Sequence, residues 1–306
     1  MDLAIVCKGL TKRYGAVVAL DSLDLQVRPK AIFGFLGPNG AGKTTTMKIL
    51  AGLIAPTAGV AYVAGCLASP HNPASRRRVG YLPEEPSFYG WMNAREYLLF
   101  VAGLLGQTGR EAATRADELL ELVDLSQAAG RRIGGFSRGM RQRLGIAQAL
   151  MGRPEVLLLD EPSSALDPLG RRDVLSLIER LAGETTVFMS THILADVERV
   201  CQEVAIVAHG RLVAQANQEE LRLRYAAPVF EVETAGEVPA LLDRLRREPW
   251  VARIAQEGSV LRLTARDARR ARQELPQLLA ALGEQLVRYQ QARPTLEDVF
   301  VRLVEA

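Results

Sequence analysis

The stretch Ala31-Ile32-Phe33-Gly34-Phe35-Leu36 runs directly into Gly37-Pro38-Asn39-Gly40-Ala41-Gly42-Lys43-Thr44. The first part is apolar and stops at a glycine cluster, as a buried strand does when it ends in a loop. The second part fits G-x-x-x-x-G-K-[ST] without a gap. A helix is expected from near Lys43 to near Gly52, with Pro56 and Gly59 marking the turn after it. Strand, glycine loop and helix in this order make a cradle for phosphate. Glycines let the backbone curl around the anion, successive amides converge on it, and the helix adds its positive end. Lys43 reaches the terminal phosphates and Thr44 offers a hydroxyl to Mg²⁺. Gly37, Asn39, Gly40, Gly42, Lys43, Thr44 and Thr45 are therefore the expected nucleotide-binding set.

A phosphate site of this kind needs a metal and water side, and Val156-Leu157-Leu158-Leu159-Asp160-Glu161 supplies it. A wholly apolar run is expected of a central parallel strand. It delivers two carboxylates at the strand end, where open α/β sheets bind ligands. Asp160 is placed to hold Mg²⁺ and Glu161 to polarise an attacking water. His192 follows the expected strand Thr186 to Met189 and the polar pair Ser190-Thr191. Local sequence leaves two readings of it open: a donor to the terminal phosphate, or a surface or capping histidine. His71 and His209 have no such context.

Outward from these motifs, Leu23, Leu25 and Val27 alternate with polar residues and suggest a half-buried strand. Helical periodicity covers Ala94 to Gly106, Glu111 to Val123 and Arg141 to Met151, so about residues 90 to 150 form a helical insertion. Leu166 to Leu181, Thr186 to Met189 and Ile193 to Val200 give helix, strand, helix. Val204 to Val207 and Leu212 to Ala214 form a hairpin around Gly210. The expectation is an α/β fold of the P-loop type, a mixed-sheet core with an antiparallel subdomain and a helical insertion, over residues 1–218. Residues 219–306 change in texture. The order strand, helix, strand, strand, helix, strand fits a small α+β domain of split βαβ, ferredoxin-like form. In it Val238 to Arg247 and Arg266 to Leu282 are helical, the latter interrupted or kinked at Pro276. Thr295 with Asp298 caps a last helix through Leu303. Trp250 beside Pro249 is core or interface packing.

Composition narrows the class. The 306 residues are 48% hydrophobic and 24% charged, which suits globular domains. A net charge of +3 gives no reason to expect nucleic acid as a partner. The basic clusters Arg76-Arg77-Arg78 and Arg266 to Arg272 read as solvated faces. Cys7, Cys66 and Cys201 form no metal-ligand spacing and suggest reduced thiols. Met1 to Gly9 is too short and wrongly ordered for a signal peptide. No stretch approaches the roughly 18 apolar residues of a membrane-spanning helix, so a role at a membrane requires a partner.

The two half-motifs, with Phe136-Ser137-Arg138-Gly139-Met140 between them, resemble the ATP-binding subunits of the ABC transporter family over about residues 3 to 215. The resemblance implies hydrolysis of ATP to ADP and phosphate with Mg²⁺. It implies that Tyr14 stacks on adenine, and that Ser137 and Gly139 contact the terminal phosphate bound on an opposite protomer, from a helix beginning at Met140. Ser164 to Asp167 looks like the loop that crosses the dimer interface, with Asp167 its acidic member. His192 then looks like the family's switch histidine. The implied assembly is a homodimer, or a pair with a similar subunit, closed through ATP. An integral membrane permease would be contacted around residues 84–91 and the helical insertion. The implied place is cytoplasmic, peripheral on the inner face of the cell membrane.

Arg138 and Met140 depart from the usual third and fifth signature residues, and Ala165 from a common glycine. Glu84 stands where the family often has glutamine, and would be a charged ligand to Mg²⁺. These variants, and the ending Pro294-Thr295-Leu296-Glu297-Asp298-Val299-Phe300, resemble bacterial exporters with short separate permeases and a C-terminal extension. An importer remains an alternative, as does a non-transport ATPase of similar build in regulation or translation. Translation types carry two nucleotide domains in one chain, and this chain has one phosphate loop. Repair types carry a long coiled coil, and no heptad run appears. The cargo is not legible in this sequence.

Overall fold

A computed structural model of the chain describes residues 3–225, 228–235, 239–281, 286–292 and 295–304. Met1, Val238, Leu282 and Pro294, used in the sequence reading, lie outside the described residues. The chain divides into two compact units after Asn217.

The first unit opens with β1 (Ile5–Tyr14) and β2 (Val17–Val27), a hairpin turning at Gly15. Then come β3 (Ile32–Leu36), α1 (Lys43–Leu50), β4 (Ala58–Val63), β5 (Cys66–Leu67), α2 (Pro73–Arg77) and β6 (Val79–Leu82). The helical segment follows with α3 (Ala94–Leu104), α4 (Gly109–Leu122) and α5 (Arg138–Leu150). The remainder is β7 (Val156–Asp160), α6 (Pro168–Arg180), β8 (Thr186–Thr191), α7 (Leu194–Val200), β9 (Glu203–Ala208) and β10 (Arg211–Asn217). The start of α3 shows how sharply local chemistry sets an end. Asn93 Oδ1 accepts from the Glu96 amide at 2.9 Å, and Glu96 Oε2 accepts from the Asn93 amide at 3.0 Å, a reciprocal capping box.

Two sheets result. An antiparallel one runs β2-β1-β4-β5, and a mixed one runs β10-β9-β3-β8-β7-β6. In the mixed sheet β9, β3, β8, β7 and β6 are parallel, and β10 returns antiparallel. Strands β3, β7 and β8 are buried along their whole length, because both sheet faces are covered. Phe33 and Phe35 point to one face of β3, and Phe188 on β8 stacks against them with ring centroids at 5.5 and 5.2 Å. The register pairs Leu36 with Thr191 and Asp160 with Ser190. The loops after β3, β7 and β8 therefore leave the sheet side by side.

Helix α5 begins at Arg138, earlier than the Arg141 of the periodicity or the Met140 of the family pattern. Ser137 is its N-cap, its hydroxyl accepting from the Met140 amide at 3.2 Å. Gly80 lets α5 approach β6, since a Cβ there would lie 2.2 Å from the Ala149 carbonyl oxygen.

The second unit contains α8 (Gln218–Tyr225), β11 (Val229–Thr234), α9 (Pro239–Leu245), β12 (Val251–Glu257), β13 (Val260–Ala265), α10 (Ala268–Ala281), β14 (Leu286–Ala292) and α11 (Leu296–Val304). Its sheet runs β12-β13-β11-β14 with every pairing antiparallel, the split βαβ order. Helix α10 continues through Pro276 without interruption. Ala271, Leu275, Leu278 and Leu279 are buried in this unit's core, and that packing outweighs the lost backbone bond. Trp250, 1% exposed, lies in the same core. Thr295 and Asp298 cap α11 reciprocally: the Thr295 amide and hydroxyl donate to Asp298 Oδ2 at 2.8 and 2.9 Å, and the Asp298 amide returns to the hydroxyl at 3.3 Å.

The cysteines test this burial. Cys7 and Cys201 are buried and Cys66 is half-buried. Burial, with the Asp24 carboxylate adding to it, pushes the Cys7 thiol up to about 12. Burial and the Asp196 carboxylate push Cys201 up as well. Raised thiols stay protonated and unreactive through neutral pH. A maleimide at pH 7.5 is expected to modify Cys66 in the native chain. Cys7 and Cys201 should react only after unfolding, as read by peptide mass spectrometry.

Candidate functional site

The glycine loop hangs from the end of β3, where the Gly37 amide donates to the Thr191 carbonyl at 3.3 Å. Gly42 adopts φ 99°, and a Cβ there would stand 2.6 Å from the Ala19 carbonyl oxygen. Only glycine fits both constraints. Lys43 opens α1 with its side chain folded inward, 6% exposed. Its Nζ donates to the Gly37 carbonyl at 2.7 Å and the Pro38 carbonyl at 3.2 Å, and lies 3.2 Å from Glu161 Oε1. Each of the ammonium's protons thus has an acceptor.

The two carboxylates stand beside it. Asp160 is 1% exposed, and its Oδ1 accepts from Ser190 Oγ at 2.6 Å and Thr44 Oγ1 at 3.3 Å. Its Oδ2 is buried without a hydrogen-bond partner. Glu161 has φ 47°, a left-handed conformation costing a non-glycine residue about 1–3 kcal/mol. Its amide is held by the Ser190 carbonyl at 3.2 Å and the Ser190 hydroxyl at 3.1 Å. The carboxylate is bracketed: Oε1 faces Lys43, and Oε2 lies 2.9 Å from His192 Nδ1. A carboxylate only accepts, so the proton of that contact belongs to Nδ1, leaving Nε2 for the cleft. The His192 side chain is 44% exposed.

These groups open into a cleft of about 440 Å³. Tyr14, Asn39, Gly40, Gly42, Lys43, Thr44, Thr45, Glu84, Glu161 and His192 all line it, with Val17, Val18, Ala19 and Ser164. Asp160 and Gly37 lie behind it, tied to Thr44 and Lys43. Tyr14 is half exposed at the rim, with Lys12 Nζ 5.2 Å from its ring centroid. Ser137, Gly139 and Asp167 are not among the residues that line this cleft. Ser137 and Gly139 start α5, and Asp167 is the N-cap of α6. A larger hollow of about 660 Å³, lined by Lys8, Lys30, Arg78, Glu155 and Glu184 among others, includes none of the expected nucleotide-binding or catalytic residues.

Two contributors escaped the sequence reading. Ser190 holds both Asp160 and the Glu161 backbone, and its signal was a hydroxyl at the end of a buried strand. Tyr81 on β6 is pushed up by burial, then by the Asp160 and Glu84 carboxylates, which places it among the acids.

The donor set fits Mg²⁺. Thr44 offers a hydroxyl, Asp160 an unpartnered buried oxygen and Glu84 a carboxylate on the same cleft. Such sparse hard oxygen donors suit an ion that takes its other ligands from phosphates and water. Among the described residues no cluster of three or more His, Cys, Asp or Glu could hold a metal alone.

Fold and cleft together define a P-loop ATPase with a helical segment inserted between β6 and β7. The sequence profile of the ABC transporter family matches residues 20–164, and that of the C-terminal domain of DrrA1-3-like ATP-binding proteins matches 217–304. The chain is 35% identical to the bacitracin transport ATP-binding protein BcrA of Bacillus licheniformis, over 99% of its length and 98% of that protein's. It is 34% identical to the Nod factor export ATP-binding protein I of Cupriavidus metallidurans, over 99% and 98% of the two chains. A solved ATP-binding subunit of an ABC transporter superposes with a TM-score of 0.65 at 30% identity, covering 72% of this chain and 93% of its own. The chain belongs to the ABC transporter family, as an ATP-binding and ATP-hydrolysing subunit.

Gly42→Ala forces a Cβ onto the Ala19 carbonyl at a positive φ. It is expected to weaken binding of a fluorescent ATP analogue at least tenfold, about 1.4 kcal/mol, with far-ultraviolet circular dichroism unchanged. Wild-type affinity would contradict the loop geometry.

Proposed function

We propose that two copies of this chain close face to face on two Mg·ATP and drive export through a separate membrane permease. The observation that carries this reading is a division of labour. Lys43, Glu161 and His192 line one cleft with Asp160 tied to its Thr44, while Ser137, Gly139 and Asp167 are not among its lining residues. A second copy brings them to the terminal phosphate, with the start of α5 aimed at the anion. Arriving phosphates draw Lys43 away from Glu161. The freed carboxylate takes a proton from the attacking water, whose oxygen bonds to the γ-phosphorus as the bond to the ADP oxygen breaks. His192, oriented by Glu161 through Nδ1, donates from Nε2 to the terminal phosphate. Mg²⁺ held by Thr44, Asp160 and Glu84 would neutralise phosphate charge, and Tyr14 would stack on the base. Hydrolysis removes the charge that joins the copies, and they part.

Among the described residues no helix is long and apolar enough to cross a membrane, and in this reading the transport path is the permease's. The surface beside Glu84 fits one. Tyr89, Trp91 and Phe100 are exposed, with Tyr89 6.1 Å from Trp91 and 5.7 Å from Phe100 between ring centroids. Exposed aromatics grouped in this way are typical of binding hot spots. The reading places the chain on the inner face of the membrane through that permease. Export is favoured by the C-terminal profile and by relatives named for bacitracin transport and Nod factor export.

Glu161→Gln is expected to lower kcat by about 10²–10⁴-fold while ATP, with Mg²⁺, shifts the variant to a dimer in gel filtration. Wild-type turnover, or a monomer under those conditions, would refute the composite site. For the partner surface, Trp91→Ala should reduce the membrane-bound fraction in cells carrying the permease. The purified variant should keep its basal ATPase within about twofold, because the residue is exposed.

A further inference from the structure

Asp196 is fully buried and has no part in the proposed chemistry. It lies on α7, four residues after His192 in the chain. Its Oδ1 accepts from Arg171 Nε and Nη2, both at 2.6 Å, and its Oδ2 accepts from the Ser163 hydroxyl. Each partner belongs to a different working segment. Ser163, itself 2% exposed, follows Glu161 in the chain. Arg171 lies on α6, its amide bonded to the Asp167 carbonyl at 2.9 Å. One carboxylate therefore joins the segments that carry Glu161, Asp167 and His192.

The backbone between those segments gives an independent reason for such a clamp. Glu161 and Ala165 both hold positive φ, 47° and 53°, without being glycine. Strain of this kind persists only where surroundings over-determine it. Ser163 sits between the two strained residues, and its hydroxyl is fastened to Asp196. A buried ionised group is also a poor means of stability alone, since an apolar side chain avoids its desolvation.

We infer that Asp196, with Arg171 and Ser163, is a positioning residue that fixes Glu161 against His192 and holds the Ser164–Asp167 loop to both. This rests on the roles proposed for Glu161 and His192. Lys43 also restrains Glu161 in this structure. Once phosphate draws Lys43 away, the clamp through Ser163 is what keeps the Glu161 segment facing His192.

The test uses basal ATPase of the full chain. Arg171 is one-third exposed, so Arg171→Ala removes the clamp's cation from the solvent side with the least risk to folding. Expected are a fall in kcat of about 10–100-fold, a KM for ATP and a Kd for ADP within about twofold of wild type, and partial recovery of kcat in millimolar guanidinium. Asp196→Asn should show the same split without that recovery. A lowered melting temperature with kcat per folded chain unchanged would overturn the inference, as would loss of ADP binding in step with kcat. Glu161→Gln and His192→Ala run alongside. If both lose turnover while Arg171→Ala does not, the clamp fails alone. If either keeps wild-type turnover, the reading of the site fails, and the clamp with it.

Discussion

The Glu161 carboxylate is held between two positive or proton-donating groups, Lys43 on one oxygen and His192 on the other. Both members of the Lys43 pair are about 7% exposed in their side chains. An ion pair so far from water gives little net stability, because desolvation offsets most of the attraction. What it does is keep two charges in a dry place where neither would remain alone. A polyphosphate offers Lys43 more negative charge than one carboxylate does. The same burial that makes the resting pair neutral in stability therefore makes the exchange toward ATP favourable. The sheet makes it possible, since parallel β3, β7 and β8 end in register and bring three loops within reach of one carboxylate.

Where chemistry requires fixed residue types at fixed spacing, the sequence could be read directly. The glycine loop, the Asp160-Glu161 pair and the P-loop core are of that kind. Strand β1 was harder. Its burial pattern alternates only in part, because register shifts after Cys7, Leu10 and Lys12 break the period that marks a strand. The start of α5 was missed because Arg138 and Gly139 carry no apolar periodicity. Ser137 also serves as a cap, a role that the expected phosphate contact masks. Ser190, Tyr81 and the Asp196 clamp were illegible for another reason. Their partners are distant in sequence, so nothing local distinguishes Asp196 from an exposed helix acid. Only the packing of α6 against α7 makes it a buried one.

The second unit was legible as an order of elements and little else. Strand β13 and most of β11 alternate in burial, whereas β12 and β14 do not, and its core of Phe230, Trp250, Leu261, Leu263 and Leu275 is an ordinary apolar one. Arg262 joins Glu231 at 3.1 Å and Asp298 at 3.0 Å, so the ending that begins at Thr295 is tied into the sheet by charge as well as by its cap. That acidic residue thus has a structural use in full: it accepts from Thr295 and from Arg262 with the same Oδ2. A terminal pattern read as a family mark is, physically, a helix start anchored to a strand.

Two departures from the family pattern meet in one place. Glu84 lines the nucleotide cleft, and also a hollow of about 310 Å³ whose far side is Arg138, Arg141 and Gln142. A carboxylate in place of an amide adds negative charge beside Asp160, Glu161 and, when ATP binds, its phosphates. In a partly dry cleft that charge raises the energy of binding unless it is offset. A cation on the cleft side would offset it there, and Arg138 and Arg141 carry positive charge on the hollow that Glu84 also lines. Glu84 and Arg138 are both exposed, so water screens the attraction and its static contribution is small. The acid at 84 and the base at 138 thus bring opposite charges to one hollow, and the two departures from the family pattern belong to one surface.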